Sequence, residues 1–150
     1  MNKFWYKSPF GILEIIYKNN SVISLKLVKN FEKTINKNDF SKNIKSQLDE
    51  YFKGERKVFD IKINPQGTEF QKKVWSELLK IPYGKTKSYS EIAEKIGHKN
   101  SQRAVGGACN KNPIMIFIPC HRVIAKNGKL NGFACGVEIK ENLLRMENPT

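Results

Sequence analysis

Two residues able to do nucleophilic chemistry stand side by side in this chain, Cys120 and His121. A cysteine beside a candidate base is the minimum for thiolate chemistry, because the thiolate rather than the thiol attacks. The apolar run Ile114-Met115-Ile116-Phe117-Ile118 leads into the pair, and Pro119 fixes φ just before it, so a buried segment delivers both side chains. Neighbours i and i+1 point to opposite faces of a regular strand, so the two need a turn or a bridging water to communicate. A carboxylate behind the histidine would orient it and stabilise its charged form, and spacing alone leaves the identity of that carboxylate open. The other histidine, His98, falls in a turn, and the other cysteines, Cys109 and Cys135, read as small packing residues.

Three cysteines without CxxC spacing argue against a disulfide framework and a metal site, and they fit a reducing, cytoplasmic location. The start of the chain lacks the long apolar region of a secretory leader, and no apolar run reaches membrane-spanning length. Net charge is +13, which permits an anionic partner such as nucleic acid. That charge is not a localised patch. Residues 1–64 hold 13 basic and 7 acidic side chains, residues 65–150 hold 14 and 7, and lysine dominates both. Of four arginines, three (Arg103, Arg122 and Arg145) lie in the second half.

The elements that must position Cys120 follow from periodicity and punctuation. Phe4-Trp5-Tyr6, residues 12–17 and residues 22–27 read as strands, joined by turns at Ser8-Pro9-Phe10-Gly11 and Asn19-Asn20, with Ile23, Leu25 and Leu27 expected on one face. Ile44, Leu48 and Tyr51/Phe52 recur at helical spacing before a stop at Gly54, and residues 58–63 alternate as a further strand. Asn64-Pro65-Gln66-Gly67 is turn-rich and divides the chain into residues 1–64 and 65–150. Beyond it the pattern turns helical. Thr68 with Gln71, and Ser88 with Glu91, fit capping boxes, and Phe70, Val74, Trp75, Leu78 and Leu79 form the apolar face of the first of these helices. Gly97 ends the second helix and Ser101 caps a third, so the pair reads as a helix-turn-helix. Gly106 and Gly107 lie inside the third helix at roughly 1 kcal/mol each relative to alanine, which close packing or close approach to nucleic acid would explain. Residues 131–136 form a small-residue loop. A last helix from about Val137 places Ile139, Leu143 and Met146 on one face and Glu147 near its end, where the macrodipole disfavours a carboxylate unless water or a cationic partner meets it.

The motif Pro119-Cys120-His121-Arg122-Val123 resembles the active-site motif of the O6-alkylguanine-DNA alkyltransferases (methylated-DNA–protein-cysteine methyltransferases). The resemblance extends in order through Gly67-Thr68-Glu69-Phe70-Gln71, Val74-Trp75, Ile81-Pro82-Tyr83-Gly84, Ser88-Tyr89, Arg103-Ala104-Val105-Gly106-Gly107-Ala108, Asn112-Pro113, residues 130–136, Lys140, Leu143-Leu144 and Glu147. It implies an α+β protein of two small domains. The N-terminal one would be a ribonuclease-H-like sheet with helix, serving as scaffold. The C-terminal one would be mostly helical, with the helix-turn-helix, DNA binding and the alkyl acceptor.

The same resemblance implies direct-reversal repair: the alkyl group leaves O6 of guanine in duplex DNA and stays on Cys120, once, after the nucleotide is flipped out of the stack. Cys120 would be the nucleophile, His121 would take its proton through a water, Glu147 would orient His121, and Tyr89 would donate to the departing guanine. Asn112 would hold the loop around the nucleophile. Arg103, Ala104, Gly106, Gly107 and Ala108 would meet DNA in the minor groove, with Arg103 filling the space left by the flipped nucleotide. Tyr89, Phe133, Ala134, Cys135 and Gly136 would line the base pocket, Phe133 standing where many relatives carry tyrosine. No metal, cofactor or membrane is implied, and one acceptor per chain needs no second copy, so a monomer is expected. Three other readings fit parts of the sequence: a cysteine hydrolase using Cys120 and His121, a lesion binder without transfer, and a DNA-binding regulator. The first leaves the helix-turn-helix unexplained, Cys120 argues against the second, and the short chain against the third.

Overall fold

The computed structural model describes residues 1–32, 38–128 and 136–149. The chain forms two compact units, Met1–Pro65 and Gln66–Thr150.

In the first unit, β1 (Asn2–Ser8), β2 (Gly11–Lys18) and β3 (Ser21–Val28) make an antiparallel meander in the order β1-β2-β3. Asn19 and Asn20 both take positive φ, 52° and 57°, as a two-residue hairpin turn requires. The apolar face of β3 differs from the simple alternation. The register slips between Ile16 and Tyr17, so that Ile16 opposes Ser24 while Tyr17 opposes Val22, and Ile23 is the extra residue of a bulge. Val22 rather than Ile23 therefore joins Leu25 in the core, with Phe4, Tyr6, Leu13, Ile15 and Tyr17.

The helix α1 (Asp39–Phe52) starts with a reciprocal capping box between Asn38 and Ser41, and buries Ile44, Leu48 and Tyr51. Gly54 follows at φ +77° and closes it. Residues 58–63 do not form the expected strand. Their alternation is real, with Phe59, Ile61 and Ile63 half-buried, but most of their backbone partners are not strand partners. The Gln47 side chain accepts from the Asp60 amide (2.9 Å) and donates to its carbonyl (3.2 Å). Arg56 Nη1 donates to the Val58 carbonyl (2.8 Å), and a parallel bridge joins Val22 to Ile63.

The second unit is helical. In α2 (Glu69–Leu78), Thr68 and Gln71 form the expected capping box, and Val74, Trp75 and Leu78 are buried. Leu79, expected on that face, is exposed because the helix ends at Leu78. A short strand β4 (Lys87–Ser88) runs into α3 (Tyr89–Lys95), capped reciprocally by Ser88 and Glu91. Gly97 turns the chain at φ +80° into α4 (Gln102–Asn110). Ser101 stands at the N-cap position but its side chain makes no capping hydrogen bond. Trp75 Nε1 donates to the Ala108 carbonyl (2.9 Å), which joins α2 to α4. After α4 come a 3₁₀ turn (Cys120–Arg122), the strand β5 (Val123–Ile124), parallel to β4, and α5 (Val137–Glu147). On α5 the buried residues are Lys140, Leu143 and Glu147, spaced i, i+3, i+7; Ile139 and Met146 of the expected face are only half-buried.

Candidate active site

The apolar run 114–118 is not a strand. Ile116 takes φ +73°, Met115 and Ile118 bridge each other, and the chain folds back on itself under complete burial. Pro119 then opens the 3₁₀ turn that carries Cys120, His121 and Arg122. The adjacent cysteine and histidine thus sit on a turn, and both are buried, at 2% and 0% exposure.

Asn112 sits at the mouth of this segment and fixes it from three directions. Its Nδ2 donates to the Ile118 carbonyl (2.8 Å) and to Cys120 Sγ (3.1 Å), while its Oδ1 accepts from the Ile114 amide (2.9 Å). A donor aimed at sulfur favours the thiolate over the thiol.

His121 Nε2 lies 2.7 Å from Glu147 Oε2. The carboxylate can only accept, so Nε2 carries the hydrogen, and Nδ1 is the ring nitrogen left to take a proton. Nδ1 is buried and has no hydrogen-bond partner among the described residues. Glu147 is 6% exposed, so its position at the end of α5 is not relieved by water. Arg122 relieves it instead: Nε donates to Oε1 (2.8 Å) and an Nη to Oε2 (3.0 Å), a bidentate fork. The other Nη donates to the Ile81 carbonyl (2.8 Å), and the Gly84 amide adds a longer bond to Glu147 Oε1 (3.3 Å). Burial pushes the His121 pKa down; the Glu147 contact opposes this, and the Arg122 and Lys140 charges add to it. The resting imidazole is therefore neutral, a base rather than an acid.

Tyr89, the first residue of α3, is buried, and its hydroxyl accepts from Lys140 Nζ (3.2 Å). Burial and the neighbouring thiols of Cys109 and Cys120 push its pKa up to about 12, so it keeps its proton. Cys109 is likewise pushed up to about 12, mainly by burial, and remains a thiol.

The sequence-predicted residues thus divide. Cys120, His121, Glu147 and Tyr89 are buried in the second unit and Asn112 is half-buried there; Asn112 contacts Cys120, His121 contacts Glu147, and Tyr89 contacts Lys140. Arg103, Ala104 and Gly107 are exposed on α4, and Gly106 is half-buried, where a Cβ would stand 3.8 Å from the Tyr89 ring. Ala108 is not on that exposed face: it is 2% exposed and packs toward Trp75. Gly136 precedes α5 at φ +104°; Phe133, Ala134 and Cys135 lie outside the described residues. His98 packs edge-on against Phe70. Two residues have no role in the sequence reading although both lie within the resemblance: Arg122, inside the quoted motif, and Lys140, at inward spacing with Leu143 and Glu147. No group of His, Cys, Asp and Glu among the described residues could hold a metal ion, and no described helix is long and apolar enough to cross a membrane.

A family model described as "6-O-methylguanine DNA methyltransferase, ribonuclease-like domain" matches residues 2–65, and one described as "6-O-methylguanine DNA methyltransferase, DNA binding domain" matches residues 69–149. The methylated-DNA–protein-cysteine methyltransferase of Methanosarcina acetivorans is 45% identical over 95% of both chains. That of Mycolicibacterium paratuberculosis is 43% identical over 93% of this chain and 88% of its own. Mycobacterium tuberculosis OGT, solved in complex with DNA, superposes with a TM-score of 0.91 at 39% identity, covering 99% of this chain and 94% of that one. The chain belongs to the 6-O-methylguanine DNA methyltransferase family.

Proposed function

We propose that this chain repairs O6-alkylguanine in double-stranded DNA by moving the alkyl group irreversibly onto Cys120. The observation that carries this reading is the buried thiol, held by an Asn112 donor at 3.1 Å, beside a neutral imidazole whose Nε2 is fixed on Glu147. Residues 65–150 are the DNA-binding and acceptor domain, and residues 1–64 their scaffold. Likeness to a relative solved with DNA supports the partner.

The steps follow from the groups. A base inside the duplex cannot present O6 to a buried sulfur, so the nucleotide is flipped, at a few kcal/mol. Arg103, exposed on α4, fills the gap it leaves, and Ala104, Gly106 and Gly107 let the helix backbone approach the minor groove. The thiol proton passes through a water to His121 Nδ1, and Glu147 stabilises the resulting imidazolium. Cys120 Sγ attacks the alkyl carbon as the carbon–O6 bond breaks, and Tyr89 donates its proton to the departing purine. Gly136, with Phe133, Ala134 and Cys135, belongs to the base pocket. The thioether formed offers no route back, so each chain acts once, as a monomer and without cofactor.

The test is a titration of the protein with a duplex carrying one O6-methylguanine, counting restored guanine against protein. Restoration saturating at one guanine per chain, and absent in Cys120→Ala, is expected. Restoration continuing past one per chain, or surviving in Cys120→Ala, refutes the single-transfer reading.

A further inference from the structure

Cys109 is a buried thiol that the reaction above leaves unused. It lies in the last turn of α4, 2% exposed, and Cys120 is buried to the same degree. Asn112 ties the two together: its backbone amide donates to the Cys109 carbonyl (3.2 Å) and its Nδ2 to Cys120 Sγ (3.1 Å). Gly106 and Cys109, three residues apart, share the face of α4 that meets the Tyr89 ring. The Tyr89 hydroxyl in turn holds Lys140, and both thiols act electrostatically on these two groups, as Cys120 does on Cys109. Asn112, Tyr89 and Lys140 thus gather two buried sulfurs into one cluster.

From this arrangement we propose that Cys109 is a resolving thiol: when a peroxide oxidises Cys120, Cys109 closes a disulfide with it, and a dithiol reductant returns both. The steps balance. The Cys120 thiolate attacks one peroxide oxygen, so that a sulfur–oxygen bond forms and the oxygen–oxygen bond breaks. The departing hydroxide takes up the proton that the thiol released. Sulfur is oxidised by two electrons to a sulfenic acid, and the peroxide is reduced. Cys109 Sγ then attacks the sulfenic sulfur. A sulfur–sulfur bond forms, the sulfur–oxygen bond breaks, and the sulfenic oxygen leaves as water with the Cys109 proton. In sum, two thiols and one hydrogen peroxide give one disulfide and two waters. A dithiol reverses the bridge by exchange and is itself oxidised to a disulfide.

The surroundings of the two sulfurs set their order. A donor aimed at Cys120 Sγ favours its thiolate, the form that attacks peroxide. Cys109, pushed up to about 12 mainly by burial, stays a thiol and is not the first to be oxidised. Its proton is therefore still in place to leave as water. Burial also keeps bulky thiols away from the sulfenic acid, so the partner comes from within the fold. A sulfenic acid without a partner goes on to sulfinic and sulfonic acids, which thiols do not restore. For a chain that acts once, the bridge keeps the acceptor recoverable.

The test treats the full chain with a small excess of hydrogen peroxide, blocks the remaining thiols under denaturing conditions, and maps the tryptic peptides by mass without reduction. Trypsin cuts after Lys111, between the two cysteines, so a disulfide is what holds residues 104–111 and 112–122 together. The joined pair is expected, lighter by two hydrogens than the separate peptides and released by dithiothreitol. In Cys109→Ala, Cys120 is expected to gain two or three oxygens, and dithiothreitol to recover about tenfold less Cys120 thiol than in the unaltered chain. Cys109→Ser, closer in shape, is expected to behave the same way, and thermal unfolding establishes that both variants fold. An unoxidised Cys120, a Cys120 sulfinic acid formed in the unaltered chain while Cys109 stays free, a bridge from Cys120 to Cys135, or equal recovery in Cys109→Ala overturns the proposal. The readout needs no DNA. A chain that bridges but takes no methyl from the lesion duplex therefore fails the alkyl-transfer reading and upholds the disulfide.

Discussion

Gly107→Ala separates the demands of the fold from those of DNA. Gly107 is exposed in the middle of α4, and nothing lies within 4 Å of a Cβ built on it. The substitution meets no steric obstacle in the free protein. It removes a helix-interior glycine and narrows the unfolded ensemble, a stabilisation of about 0.5–1 kcal/mol. For a chain of this length that raises Tm by roughly 1–4 °C when it unfolds as one transition. If the bare backbone of α4 is pressed against a groove wall, the same methyl has no room in the complex. Overpacking of this kind costs about 1–3 kcal/mol, or roughly 5- to 150-fold in affinity. Fluorescence anisotropy with an undamaged duplex reads the affinity, and calorimetry reads the stability. The variant is expected to be more stable and a poorer DNA binder. A stabilised variant with undiminished affinity would sink the idea that this glycine serves the groove.

Further outcomes test other parts of the site. Arg103→Ala removes an exposed side chain, so stability should stay within about 0.5 kcal/mol; transfer from duplex DNA should slow, while transfer from the free O6-methylguanine base should not, and equal slowing on both contradicts the gap-filling role. Arg122→Met leaves the Glu147 carboxylate buried without its bidentate partner, which should cost about 3–5 kcal/mol in urea unfolding, with Glu147→Gln in the same chain recovering part of that loss. His121 is held below its ordinary pKa by burial, so the unfolded chain takes up a proton that the folded chain refuses. Its contribution to stability is therefore full above about pH 6.5, the unfolded value, and is lost as pH falls below it. The slope of stability against pH under about 6.5 should flatten in His121→Gln, and an unchanged slope would contradict a buried neutral imidazole.

Much of this molecule is legible in its sequence because its local signals are chemically explicit. Thr68 with Gln71 and Ser88 with Glu91 announce two helix starts, and each forms a reciprocal box. Gly54 and Gly97 mark helix ends through positive φ. The adjacency of Cys120 and His121 calls for a turn or a bridging water, and a 3₁₀ turn is there. What was misread depends on partners distant in sequence. Residues 58–63 have a strand's alternation, but the side chain of Gln47 takes up the Asp60 backbone groups. Ile23 loses its place in the core to Val22 because a bulge inserts one residue against β2, which periodicity on one strand cannot reveal. Glu147 reads as a misplaced charge until Arg122, 25 positions away, is seen to grip it. Lys140 stands within the resemblance without a role, and only its phase with Leu143 and Glu147 on α5 marks it as inward.

The central claim is that Cys120 carries the alkyl group away. The direct measurement is the intact mass of the protein after incubation with a duplex bearing one O6-methylguanine, followed by mapping of the modified peptide. A gain of one methyl group, located on Cys120 and never exceeding one per chain, is the predicted result. An unmodified chain that still binds the lesion, or a methyl group found on Cys109 or Cys135, would contradict it.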